Sequence, residues 1–426
     1  MENVLSSAER ALDFGLGGEV VSVVLILFAI ILCIGVLLGL DWRRFLDRRA
    51  IRSALRGGLT YIFGKRGQRR VHGWRLFYKM RVEVMLRSPR PIRGISRFPV
   101  AKLWVDQEAF PRIKKLLRRA RHTVVIQMFI WKDDRLGREI AELLTELADR
   151  GVAVSVSKEA VGDVFELQQD FLGTKHHADP VWKRFWNHPN IRILHETRND
   201  HAKIFIIDDR ILLLTGMNIA DEYHDDWHDY LVELRSRHFV EQYLSSGEVV
   251  AALPDVQLIM NTDRQKAIRP VVMQMIAEAR QSIVVEQCYF SDPAVLRALI
   301  DRSHEGVRVL VILPARPDIH HFTNMESIAK LVSEGDRRHL SVFLYPRILH
   351  GKILLVDRER AFLGSANMMT SSLDDMGEVN VLITGKNTTV MRKLRDVLRE
   401  DILQSTPVSR PPRFIWLWRW LTWLKL

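Results

Sequence analysis

Cysteine is nearly absent: Cys33 and Cys288 are the only two in 426 residues. A disulfide framework is thereby excluded. Even a single bridge is disfavoured, because Cys33 sits within an apolar run. Such usage fits a reducing compartment. Charge is absent from residues 20–40, VVSVVLILFAIILCIGVLLGL. That run is long enough to span a bilayer as a helix. The basic region that opens a signal peptide is missing too: Glu2, Glu9, Asp13 and Glu19 stand there against Arg10 alone. A buried core helix is the alternative, but core helices are rarely apolar on every face.

Acids are scarce just after that run. From Asp41 to Val100 there are 17 Lys and Arg against three acids, a net +14. Residues 1–40 carry −3 and residues 101–426 only +1. The body of the chain therefore lacks the spread of positive charge that a nucleic-acid binder needs. By the positive-inside rule the bulk of the protein is expected on the cytoplasmic side of a membrane, with the N-terminus outside. The segment DWRRFLDRRAIRSALRG would then face anionic headgroups, each basic residue near that surface contributing about 1 kcal/mol. A solvated basic linker is the alternative. The C-terminal RFIWLWRWLTWLKL, wound as a helix, puts Trp416, Leu417, Trp420, Trp423 and Leu424 on one side. Arg419, Thr422 and Lys425 fall opposite. Such a helix is expected to lie in the interface or to dock on the protein's own surface.

What is present is a duplication. ARHTVVIQMFIW from Ala120 matches ARQSIVVEQCYF from Ala279, and both read as strands. RGVAVSV from Arg150 answers EGVRVLVIL from Glu305. Helical patterns, LGREIAELLTELADR and PAVLRALIDRSHE, lie between. Strands alternating with helices in each half predict two α/β domains, related by a pseudo-twofold axis and joined near SSGEVVAALPD, residues 245–255. The expected layout is a short segment 1–19, a transmembrane helix 20–40, a basic juxtamembrane region 41–98, domains 99–250 and 251–405, and a Trp-rich tail 406–426.

Each half carries one polar pattern: HAKIFIIDDRILLLTGMN from His201 and HGKILLVDRERAFLGSAN from His350. His201 and Lys203, like His350 and Lys352, are two apart, which in a strand puts them on one face. A His and a Lys together on a buried face are costly unless an anion awaits them. Each pattern ends in an Asn, Asn218 or Asn367. Eleven residues on stands an acid, Asp229 or Glu378, of the kind that orients an imidazole and favours its charged form. Two His, two Lys and two Asn together suit a phosphodiester. One neutral His can attack phosphorus and form a phosphohistidine, and the other, protonated, can give its proton to the leaving oxygen. Both roles are open to a group with a pKa near ~6.5. Lys203, Lys352 and the Asn side chains can hold the phosphoryl oxygens. The cations are built in, so no metal or cofactor is expected.

The doubled His-x-Lys-x4-Asp with Gly-Ser-x-Asn resembles the HKD motif of the phospholipase D superfamily, over about residues 100–405. The resemblance implies a two-domain α/β fold with the site between the domains and a covalent two-histidine mechanism free of metals. His201 and His350 would be the catalytic pair, with His201 favoured as nucleophile, and Asp229 and Glu378 the supporting acids. Asp208 and Asp357 would be structural. TGMNIADEYHDDWHDYLVEL from Thr215 is similar to the bacterial cardiolipin synthase branch. That implies transfer of a phosphatidyl group between two phosphatidylglycerols with release of glycerol, at the inner membrane, with an anionic phospholipid as partner and no nucleic acid. Two departures stand out. Thr215 and Gly216 occur where the second copy has Gly364 and Ser365, so only the second offers the Ser365 hydroxyl. SVSKEAVGD from Ser155 replaces the family's usual Asp followed by Gly-Ser, which bears on the acceptor. The competing readings are a phospholipase D hydrolase, a nuclease on the same fold, and a catalytically dead scaffold. His224 and His228 have the spacing of a helical metal pair, but no further ligand is evident nearby. The paired histidines at His176 and His320 are expected in loops.

Overall fold

The computed structural model describes residues 100–159, 179–196, 199–248, 255–386 and 388–411, with the single positions 86, 162 and 253. The apolar run 20–40, the basic stretch 41–98 apart from Leu86, His176 and residues 412–426 lie outside the described residues. Among the described residues no helix is long and apolar enough to cross a membrane.

Two mixed sheets are built on one plan. The first holds β1 (Ala101–Val105), β2 (Thr123–Met128), β3 (Ala153–Glu159), β4 (Ile191–Glu196), β5 (Lys203–Ile207), β6 (Ile211–Thr215) and β7 (Tyr230–Arg235). Their spatial order is β1-β7-β6-β5-β2-β3-β4. Strands β2, β3 and β4 run parallel; the rest pair antiparallel. The second holds β8 (Val256–Asn261), β9 (Ser282–Gln287), β10 (Arg308–Pro314), β11 (Leu340–Tyr345), β12 (Lys352–Val356), β13 (Arg360–Gly364) and β14 (Glu378–Thr384). Strand for strand it repeats the first order, with β15 (Thr406–Val408) added antiparallel to β11. The stretch expected as a tail from residue 406 thus opens as an edge strand.

Among the described residues the α-helices are α1 (Ala109–Leu117), α2 (Arg135–Asp149), α3 (Pro180–Trp186), α4 (Asp221–Asp225), α5 (Arg237–Leu244), α6 (Ile268–Ala277), α7 (Pro293–His304), α8 (His321–Glu334) and α9 (Thr389–Gln404). Local sequence explains the boundaries of the duplicated pair. The Asp134 side chain accepts from Gly137 N at the start of α2, and Asp292 accepts from Ala294 and Val295 N at the start of α7. Pro293 takes the first turn of α7, where its missing N–H costs nothing. Gly151 and Gly306 follow the two helices at φ 88° and 90°, a left-handed conformation that suits glycine. The apolar stripe of α2, with Leu136, Ile140, Leu144 and Leu147 fully buried, packs into the first core. Strands β5 and β12 sit mid-sheet and are buried at every position. That is why KIFII and KILLV read as unbroken apolar runs after their lysines.

Each central hairpin turns on the motif aspartate. Asp208 and Asp209, and likewise Asp357 and Arg358, have positive φ, the geometry of a tight hairpin turn. The Asp208 carboxylate accepts from the N–H groups of Arg121, His122 and Thr123. Asp357 accepts from Arg280, Gln281 and Ser282. Each aspartate therefore ties the β5–β6 or β12–β13 turn to the start of β2 or β9. Helix α9, from the second half, packs onto β1 of the first.

Candidate active site

Strands β5 and β12 begin at the lysines, not at the histidines. His201 and His350 stand just outside the sheets because their backbones pair across the seam instead. His201 N donates to Gly377 O at 2.7 Å, and His350 N donates to His228 O at 2.8 Å. Short parallel bridges, Asp200 with Gly377 and His228 with Leu349, fix both junctions. Gly377 and His228 immediately precede Glu378 and Asp229. The acids are thereby delivered crosswise. His350 Nδ1 lies 2.7 Å from Asp229 Oδ2, and His201 Nδ1 lies 3.2 Å from Glu378 Oε1. Each half's acid serves the other half's histidine. A carboxylate at Nδ1 puts the ring proton there and leaves Nε2 as the reactive nitrogen.

The lysines curl back toward their own histidines. Lys203 Nζ donates to His201 O at 2.7 Å, and Lys352 Nζ to His350 O at 2.6 Å. The Lys352 ammonium also lies 3.1 and 3.2 Å from the two ring nitrogens of His350. Both lysines are buried. The asparagines differ. Asn218 Oδ1 accepts from Ile130 N at 3.0 Å, and its Nδ2 donates to Tyr223 Oη at 2.8 Å. At most one N–H of Asn218 is left for a phosphoryl oxygen. Asn367 Oδ1 has no hydrogen-bond partner among the described residues.

Aromatic side chains that the motif reading did not single out surround the pair. Tyr223 and Trp227 rings each lie 5.3 Å from His350, and Phe129 lies 4.8 Å from His201. Lys203 Nζ sits 5.1 Å from the Phe129 ring centroid. Their one sequence signal was position: Phe129 follows β2, and Tyr223 and Trp227 fall between Asn218 and Asp229. His320 caps α8 with its ring 5.0 Å from Tyr289, which is 6.4 Å from His350. His224 packs edge-on against Phe110, whereas His228 turns to Asp106, so the two do not converge.

The family model described as "Cardiolipin synthase, PLD-like domain" matches residues 113–246 and again residues 272–402. The chain belongs to that family. Among curated relatives, cardiolipin synthase 2 of Bacillus cereus is 28% identical over 337 residues, covering 71% of this chain and 64% of that protein. Cardiolipin synthase B of Escherichia coli is 25% identical over 350 residues, covering 73% and 83%. This chain thus spans less than two thirds of the Bacillus relative. The fold is shared with a crystal structure of phosphatidylserine synthase from Haemophilus influenzae, with a TM-score of 0.63 at 14% identity over 82% of this chain and 98% of that one.

In this phospholipase D-like chain the departure at Gly216 has a steric cause. A Cβ there would lie 2.6 Å from Asp229 Oδ2. At the matching position Ser365 Oγ accepts from Val379 N at 3.0 Å and donates to Val379 O at 3.2 Å. Thr215 donates instead to Tyr230 O at 2.8 Å. Electrostatics separate the two pairs. Burial, then Lys203, holds the His201 pKa below its ordinary value. Burial and Lys352 push His350 well below. Burial brings Lys203 down to about 7 and lifts Asp229 to about 7. Burial would lift Glu378 as well, but His201, Lys203 and Ser365 outweigh it and hold this carboxyl low.

Proposed function

We propose that the chain is a phosphatidyltransferase of the cardiolipin synthase kind, joining two phosphatidylglycerols into cardiolipin with release of glycerol. One observation carries this reading: two crossed imidazole–carboxylate pairs and two buried lysines converge where the halves meet. The relatives' activities agree with it. In this reading residues 20–40 anchor the chain once in the inner membrane, and residues 41–98 hold the catalytic domains against its cytoplasmic face.

The two pairs divide the labour. Burial and Lys203 keep the His201 imidazole neutral, and ionised Glu378 takes its Nδ1–H, leaving a basic Nε2. It is the nucleophile. Asp229 titrates at about 7, so the Asp229–His350 pair holds a proton near neutral pH. It is the acid. His201 Nε2 attacks phosphorus, the bond from phosphorus to the headgroup glycerol oxygen breaks, and His350 protonates that oxygen. A hydroxyl of the second phosphatidylglycerol then gives its proton to His350, and its oxygen displaces His201 from phosphorus. Lys203 and Lys352 face the phosphoryl oxygens as charge builds on them. The incoming phosphate also offsets the cations that depress both imidazoles.

The test is lipid mass spectrometry after incubating the detergent-purified protein with phosphatidylglycerol vesicles. Cardiolipin and glycerol are expected, and none from the His201→Ala, His350→Ala double variant. Phosphatidic acid alone, whatever the acceptor concentration, would overturn the transferase in favour of a hydrolase.

A further inference from the structure

Behind His350 lies a second buried polar cluster that the reaction does not use. His228, Glu286 and Asp401 come from the approach to β7, from β9 and from α9, and are 2%, 0% and 3% exposed. His228 Nδ1 lies 2.7 Å from Asp106 Oδ1, a carboxylate that Arg347 also binds at 2.7 Å. With Nδ1–H donated to Asp106, His228 Nε2 offers a lone pair. That nitrogen lies 3.3 Å from Asp401 Oδ2 and 3.7 Å from Glu286 Oε1, with the Tyr230 hydroxyl at 3.0 Å. Among the described residues, neither Glu286 oxygen nor Asp401 Oδ2 has a hydrogen-bond partner. Carboxylate oxygens left unpaired in a dry interior are costly. Something positive belongs between them.

The spacing says what. A tetrahedral ion with bonds of about 2.0–2.1 Å sets its donor atoms about 3.3 Å apart. The three donors here all lie within 4.8 Å of one another. The Asp106–His228 bond is the carboxylate support that a metal-bound imidazole generally has. Room for Glu286 is made by Gly351, between His350 and Lys352, where a Cβ would collide with Glu286 Oε1. The counterpart of Glu286 in the first half is Gln127, and that of His228 in the second half is Gly377, so the duplication provides this cluster only once. We propose that His228, Glu286 and Asp401 bind one divalent ion of the zinc type, with the Tyr230 hydroxyl beside the fourth position. The site is structural. It joins the residue before Asp229 to two elements of the second half, and it steadies the His228 carbonyl that holds the His350 backbone.

The competing occupants are protons. Burial lowers the His228 pKa, but the carboxylates of Asp106 and Asp401 outweigh it and hold it well above ordinary, and burial lifts Glu286 to about 8. Metal analysis of the full-length protein decides between them. The protein is grown with added zinc, purified in detergent, cleared of any affinity tag and dialysed against chelator. We expect about one zinc per chain, bound through one nitrogen and oxygen donors by X-ray absorption, and a loss of tenfold or more in Glu286→Gln and Asp401→Asn. Wild-type protein with under about a tenth of an equivalent of zinc overturns the proposal, whatever the variants do. Melting gives a second readout. A zinc site predicts a lower Tm for Glu286→Gln, whereas a site filled by protons predicts an unchanged or higher one, since that variant removes an unpaired acid.

Discussion

The two histidines are not equivalent side chains. The His201 side chain is 13% exposed and that of His350 4%. Each answers to an acid from the opposite half. Glu378→Gln should therefore shift the titration of His201 and leave that of His350 nearly in place, with Asp229→Asn doing the reverse. Histidine NMR of each variant reads this directly, and the loss of turnover expected for either is about 10²–10⁴-fold. If Glu378→Gln moved His350 instead, the crossed assignment would be wrong. A second consequence concerns pH. Lys203 and the Asp229–His350 pair both lose protons at about 7, so kcat/KM should fall as pH rises through that value. Lys203→Arg keeps its charge at higher pH, and the fall should become shallower. Gly216→Ser, which imitates the second motif, should lower turnover at least tenfold by crowding Asp229. Activity at the wild-type level would show that the Asp229 carboxylate can move aside.

Elements β5 and β12 owe their positions to the turns that follow them. Asp357 accepts three backbone N–H groups, and its carboxyl is held below the usual range by those bonds, against the effect of burial. A depressed carboxyl contributes stability above its unfolded value and loses it as pH falls through the folded value. Asp357→Ala should cost about 1–3 kcal/mol by leaving those donors unpaired. The check is the difference in Tm between wild type and variant, expected to shrink toward pH 3. Much at this scale was legible in the sequence. The apolar runs at β2, β9, β3 and β10 and the periodic stripe of α2 stand where alternation and branching placed them, since local pattern dominates in central elements. The start of β5 and β12 was not legible. His201 and His350 leave their strands because their backbone partners are Gly377 and His228 in the other half, and no local signal carries that. Likewise Asp106, Glu286 and Asp401 meet His228 from distant segments, each with an unremarkable neighbourhood.

For the molecule as a whole, neither His201 nor His350 finds its carboxylate within its own half. Residues 1–250 and 251–426 expressed separately should each be inactive. Expressed together they should recover lipid transfer if they associate, and co-purification with mass spectrometry of the lipid product checks both points. The joining of the halves was foreseen from the doubled motif, but its direction was not, because eleven residues from Asn to acid say nothing about which histidine the acid reaches. That direction bears on descent. In a chain whose copies served themselves, one could decay while the other kept working. Here a change that weakens Asp229 is felt first at His350, and one that weakens Glu378 at His201. The two copies are bound to a shared fate, and mutation in either is selected through the performance of the other.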